Sequence, residues 1–261
     1  MSRKFAAAIA VCALLVPAVA SAQINFEKSK YYVALGDSVA AGEGAMPVTN
    51  GYVYDLYERG VFGQKQETDF ANAAVRGARS WELREHQVAE VLCATTAQRP
   101  TVVTITAGAN DFIRGDRDIL GIALRVADSI NVLLNNGTAL VSSPVLDPVT
   151  NTPCPPLTNV TILVSNYYQI PIPVAAVDVQ FDAALRGFDQ ALRYVLQFVQ
   201  VPAGSKVGYV DLYAASEGRE GLVLIERRLG FTGPFDFEIH PTNLGHAVIA
   251  QEFEKVFNSL Q

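Results

Sequence analysis

The chain holds 261 residues, half of them hydrophobic, with 20 basic and 26 acidic side chains and a net charge of −6. That is a globular composition with enough apolar material for one sizeable core. An acidic chain without a basic stripe gains nothing from counterion release, which excludes a nucleic-acid partner, and its charge does not draw it to anionic membranes.

The first element in chain order is a targeting segment. Arg3 and Lys4 precede an apolar run from Phe5 to Val16, and Ala20-Ser21-Ala22 offers small residues for cleavage. This is the layout of a secretory signal peptide over residues 1–22. The run is too short to span a bilayer, and Val11 before Cys12 is too bulky for a lipoprotein cleavage site. Residues 23–261 are then expected to form a single soluble domain, secreted or periplasmic. Its 18 basic and 26 acidic side chains make it more acidic still, at −8. No second long apolar run follows, so stable membrane insertion is not expected.

Short apolar runs bounded by turn residues come next: YYVAL at 31–35, TVVTIT at 101–106, VTILVS at 160–165 and KVGYVDL at 206–212. Runs of this kind suit strands buried on both faces. Helical patterns alternate with them. Residues 80–94 place Trp81, Val88, Val91 and Leu92 on one face with Ser80 as N-cap. Residues 116–134 align Ile119, Ala123, Val126, Ile130 and Leu133. Further helices are expected over 181–199 and 243–257. Strands alternating with helices imply an α/β fold, a mostly parallel sheet covered on both faces. The stretch 135–159, rich in Asn, Pro, Thr and Ser, reads as a long excursion: a loop or part of a substrate lid. After loss of the leader two cysteines remain, Cys93 and Cys154. In an exported chain they are expected to pair, closing a loop of about sixty residues worth roughly 4 kcal/mol in the chain-entropy model. Their spacing fits no zinc site, and no metal is expected.

In open parallel sheets ligands bind beyond the carboxyl ends of the strands. There the chain carries Gly36-Asp37-Ser38, then NAAVRGARS (72–80) with Gly77, then Gly108-Ala109-Asn110-Asp111, and near its end His240. A serine becomes a useful nucleophile when a base, usually histidine, takes its proton. The oxyanion that follows needs preorganised donors. Gly77 lets a backbone N–H approach closely, Asn110 donates from its side chain, and the Ser38 N–H is a third donor. Singly, each residue also has a plain structural role, such as ending a strand, making a turn or capping a helix (Asp111 the one that follows it). Jointly they supply a nucleophile, a base and an oxyanion hole.

YVALGDSVAAGEG (32–44), NAAVRGARS, GAND (108–111) and HPTNLGH (240–246), in this order, resemble the four sequence blocks of the SGNH hydrolases, also called the GDSL esterase/lipase family. The opening YVALGDS is especially similar to secreted bacterial members. The resemblance implies a three-layer α/β/α sandwich, flavodoxin-like, on a five-stranded parallel sheet, so a fifth strand is expected near 68–72. It implies Ser38 as nucleophile, His240 as base, and Ser38, Gly77 and Asn110 as the oxyanion hole. It also implies hydrolysis of a small-molecule or lipid ester through an acyl-enzyme without a cofactor. An α/β-hydrolase is disfavoured, because no Gly-x-Ser-x-Gly elbow surrounds Ser38. Family members also deacetylate sugars, and a catalytically dead member that binds lipid or glycan at the cell envelope is the remaining alternative.

One position departs from the pattern. The family places Asp three residues before the histidine, and here Phe237 stands there. Three groups are candidates to orient His240: the Phe237 backbone carbonyl, the Asp236 carboxylate and Glu238. His246 is the competing base, expected to be structural or at the rim. The stretch SNYYQIPIPV (165–174) is expected to bring Tyr167, Tyr168 and Ile170 toward the site as an apolar lip, or else to pack beneath the loop.

Overall fold

A computed structural model describes residues 32–63, 70–94, 100–170, 175–219, 221–223 and 239–261. The leader and the candidate orienters Asp236, Phe237 and Glu238 lie outside these residues. Five parallel strands form one sheet in the order β2-β1-β3-β4-β5. They are β1 (Tyr32–Gly36), β2 (Phe70–Asn72), β3 (Val102–Thr106), β4 (Thr161–Ser165) and β5 (Lys206–Val210). Every residue of β1 and β3 is buried, as continuous apolar runs require of strands covered on both faces. In-register pairing sets Gly36 beside Thr106, and Thr106 beside Ser165, at the carboxyl ends. The fifth strand lies where it was expected. It is three residues long and gains packing from Phe70, whose ring stacks on Tyr57 at 4.6 Å and tilts against Tyr32 at 5.3 Å.

Helices cover both faces. One layer holds α1 (Tyr52–Glu58) and α8 (Asn243–Ser259), which pack together; α8 also meets β4 and β5. The other holds α2 (Ser80–Glu82), a π-helical turn over Leu83–Val88, α3 (Ala89–Cys93), α5 (Ile119–Asn135) and α6 (Ala175–Leu196). Short helices α4 (Ala109–Ile113) and α7 (Leu212–Ser216) follow β3 and β5. On α5 the expected face is buried, with Asp118 as N-cap accepting from the Gly121 N–H at 2.9 Å. Among the described residues no helix is long and apolar enough to cross a membrane.

Three expectations change. Trp81 is 38% exposed, while Leu83 and Gln87 are buried. The wider π turn shifts the phase, so a regular 3.6-residue period misassigns the inward face. Ser80 is not the N-cap: Arg79 is, with its N–H donating to the Glu82 carboxylate at 2.8 Å. Residues 135–159 do not cover the site. They leave the carboxyl end of α5 and enter β4, so they lie at the amino-terminal edge of the sheet. There Cys154 is disulfide-bonded to Cys93 and Leu157 is buried. The excursion is anchored further by Asn136, whose side chain donates to the carbonyls of Val145 and Cys154 and accepts from the Val145 N–H.

Candidate active site

The site sits where β1 is flanked by β2 on one side and β3 on the other, so the chain leaves it in both directions and opens a crevice. Gly36 ends β1 with φ +135°, and a Cβ there would lie 2.1 Å from the Thr106 carbonyl oxygen. Only glycine lets the chain turn this close to β3. The buried Gln87 amide secures the bend, accepting from the Gly36 N–H at 2.7 Å and donating to its carbonyl at 2.8 Å. Ser38 emerges two residues on. Its Oγ lies 2.7 Å from His240 Nε2, across 202 residues of sequence. His240 is placed by its neighbours: the Ile239 carbonyl accepts from the Tyr168 hydroxyl at 3.0 Å, and Thr242 caps α8 by accepting from the Gly245 N–H at 3.1 Å.

The structure brings Gly77 and Asn110 to the same cavity, of about 320 Å³. Among the described residues neither the Ser38 nor the Gly77 N–H has an acceptor within the protein. Asn110 Nδ2 donates to the Ala78 carbonyl at 3.0 Å and makes a 3.5 Å approach to Asp37. Asp111, buried, accepts from the Ser80 N–H and Ser80 Oγ, both at 2.8 Å. It therefore holds the first turn of α2 rather than capping the helix that follows, whose N-cap is Asp118, and ties the segment carrying Gly77 to the one carrying Asn110. Arg125 closes this tie, with Nε 2.7 Å from Ser80 Oγ.

Two residues that the motif analysis did not weigh belong here. Asp37 is buried, with Oδ1 accepting from the Val39 N–H at 3.0 Å and Oδ2 from the Tyr167 hydroxyl. Burial raises its carboxyl to about 6, against the pull of these donors. Glu43 brings Oε2 to 3.1 Å from His240 Nε2 and pairs through Oε1 with Arg76. Its only sequence signal is a carboxylate between two glycines. Tyr167, Tyr168 and Ile170 do line the cavity, but all three are buried and the two hydroxyls are committed to Asp37 and Ile239. They form a fixed wall, joined by Val39, Ile113 and Ile239.

His246 is fully buried, not at the rim. Its Nδ1 accepts from the Tyr52 N–H at 3.2 Å and its Nε2 donates to the Glu43 carbonyl at 2.8 Å. That pair of partners requires the neutral Nε2–H tautomer. Desolvation, then the nearby His240, depresses its titration to about 4. A histidine depressed on folding contributes stability that is complete above about 6.5 and is lost as pH falls toward 4, up to about 3 kcal/mol. Asp37, raised on folding, acts oppositely: its contribution is present below about 4 and lost as pH rises through 6. The two slopes therefore oppose each other between pH 4 and 6. His246→Gln is expected to remove one of them, so that stability by urea titration declines less from pH 7 to 4.5 than in the wild type. An unchanged acid slope would show that His246 does not carry it.

A second cavity, about 440 Å³, lies by Gln169, Asp178 and Ser216. Ser216 Oγ donates to the Tyr213 carbonyl at 3.0 Å and accepts from the Gln169 N–H at 2.8 Å. Among the described residues no histidine lines it, whereas His240 lines the Ser38 cavity.

Sheet order, loop placement and the Ser–His contact define a hydrolase of the SGNH type. The GDSL-like Lipase/Acylhydrolase family model matches residues 32–253, and the chain belongs to that family. No curated protein sequence matches it significantly. Among solved structures, a lipolytic G-D-S-L family protein from Veillonella parvula is similar over 87% of this chain and 98% of its own, at 18% identity and TM-score 0.54. A carbohydrate esterase family 3 protein from Talaromyces cellulolyticus is similar over 88% and 97%, at 15% identity and TM-score 0.53. The psychrotrophic esterase EstA from a Pseudoalteromonas species is similar over 89% and 98%, at 15% identity and TM-score 0.51. At these identities the likeness shows a shared fold.

Proposed function

We propose that residues 23–261 form one exported carboxylic-ester hydrolase domain, released by cleavage of residues 1–22, with Ser38 as nucleophile and His240 as base. The observation that carries this reading is the 2.7 Å contact between Ser38 Oγ and His240 Nε2 at the carboxyl end of β1. Ser38 Oγ attacks the acyl carbonyl as its proton passes to Nε2. The Ser38 and Gly77 N–H groups, with Asn110 Nδ2 released from its long approach to Asp37, receive the oxyanion. His240 then returns the proton to the departing alcohol. A water attacks the acyl-enzyme by the same route in reverse and frees the acid. No step calls for a metal or organic cofactor. The disulfide between Cys93 and Cys154 supports export, since such bonds persist in oxidising compartments.

The apolar walls at Val39, Ile113, Ile170 and Ile239 favour a fatty-acyl chain over acetate. Each methylene they bury adds about 0.8 kcal/mol, close to fourfold in selectivity. A fluorophosphonate probe is expected to label the folded protein at Ser38 and to leave Ser38→Ala unlabelled. With p-nitrophenyl esters, kcat/KM is expected to rise from acetate to butyrate. A strict acetate preference would transfer the assignment to a carbohydrate O-deacetylase, as the name of the Talaromyces protein would suit. An unlabelled wild type would transfer it to an inactive binding protein.

A further inference from the structure

We infer that Glu43 is a positioning residue for His240, a carboxylate from the serine's own turn that faces the same imidazole nitrogen as Ser38. The inference rests on the ester-hydrolase reading of Ser38 and His240.

The geometry is built rather than incidental. The Glu43 N–H donates to the Ser38 carbonyl at 2.9 Å, and the Glu43 carbonyl accepts from buried His246 at 2.8 Å. The backbone is thus held on both sides of the residue. Its side chain, 15% exposed, divides its two oxygens: Oε2 lies 3.1 Å from His240 Nε2, and Oε1 pairs with the Arg76 guanidinium. Arg76 immediately precedes Gly77. One carboxylate therefore connects the serine turn, the histidine and the segment bearing an oxyanion donor.

Nε2 faces both Ser38 Oγ and Glu43 Oε2. While the nitrogen carries a lone pair, the carboxylate beside it is repulsive. Once the Ser38 proton has moved to Nε2, a cation and an N–H donor face that same carboxylate. Glu43 thus favours the state in which His240 holds the proton, which is the state formed along the reaction path. An interaction stronger there than in the resting enzyme raises kcat rather than lowering KM. Once transferred, the proton stays on Nε2 until it passes to the leaving alkoxide oxygen as the ester C–O bond breaks; Glu43 does not take it. Arg76 draws on the other oxygen and limits how tightly the proton is retained. Among the described residues, Asp37, from the β1 turn, and His246, from α8, also face His240, and the titrations of both respond to it.

The test is kcat and KM on p-nitrophenyl butyrate from pH 5 to 9, with melting temperatures, for wild type, Glu43→Gln and Arg76→Gln. In Glu43→Gln, kcat is expected to fall roughly 10- to 100-fold with KM within about twofold. The acid limb of kcat/KM is expected to move to lower pH. In Arg76→Gln the limb is expected to move up by a few tenths of a unit, because Glu43 loses its counter-cation. The Arg76 side chain is 74% exposed, so that variant keeps the fold and an unmoved or lowered limb in it counts against the inference even where Glu43→Gln does not fold. A wild-type kcat and acid limb in Glu43→Gln, or an unmoved or lowered limb in Arg76→Gln, overturns the inference. A wild type that neither labels with fluorophosphonate nor turns over the ester removes the hydrolase reading itself; an active wild type with an indifferent Glu43 removes only this one.

Discussion

His240→Ala is expected to lower kcat/KM for p-nitrophenyl esters by about 10,000-fold or more. The melting temperature should stay within about 2 °C of the wild type, because the lost side chain faces the cavity rather than the core. His246→Ala is expected to do the reverse. Its removal leaves the Tyr52 N–H and the Glu43 carbonyl without their partners, in a site with no access to solvent. Each orphaned group costs about 1–3 kcal/mol, and the vacated ring volume adds a cavity term. At a temperature where this variant remains folded, its activity should stay within about tenfold of the wild type. Paired kinetic and thermal measurements check both halves. If His246→Ala abolishes hydrolysis while His240→Ala retains it, the roles of the two imidazoles are exchanged.

The contrast between these two histidines also marks how far the sequence could be read. Strands β1, β3 and β4 are legible because strands buried on both faces appear as continuous apolar runs, and β5, a partly buried edge strand, still shows as a short β-prone run. The edge strand β2 is three residues long and offers no such run. Its place came from family resemblance. Helix α1 escaped notice because Tyr52, Val53 and Leu56 span barely more than one turn and establish no period. Trp81 was misread because the π turn after it alters the phase, which no side chain announces. Asp111 reads as a cap on the helix that follows it, but its carboxylate crosses to Ser80, 31 residues earlier. The lid reading of 135–159 failed on topology alone: a segment between the end of a helix and the start of the next parallel strand lies opposite the carboxyl ends. For the site, the blocks showed which residue types meet, but not the second partner of His240 Nε2. Glu43 and His240 are 197 residues apart, and only the folded turn brings them together.

Gly44 shows how that turn is held, and it carries the other large expected effect. Its φ is +87°, where an L-residue is strained, and an added Cβ would lie 2.2 Å from the Pro241 carbonyl oxygen and 2.8 Å from His240 Cβ. The serine turn and the His-Pro turn touch through this hydrogen-only surface. Both contacts are with backbone or the root of a side chain, so no flexible group can swing aside. In Gly44→Ala the His-Pro segment must move by something near an ångström, and His240 moves with it. A displacement of that size costs about 100-fold where nucleophile and base must align, and kcat/KM is expected to fall by at least that factor. Gly115→Ala is the control. Gly115 has φ +91° but nothing within 4 Å of the added Cβ, so it bears the backbone strain without the collision. It should lose about 1 kcal/mol of stability and keep its activity. Equal losses of activity in the two variants would assign the Gly44 effect to strain. Wild-type activity in Gly44→Ala would mean that the approach of the two turns does not position His240.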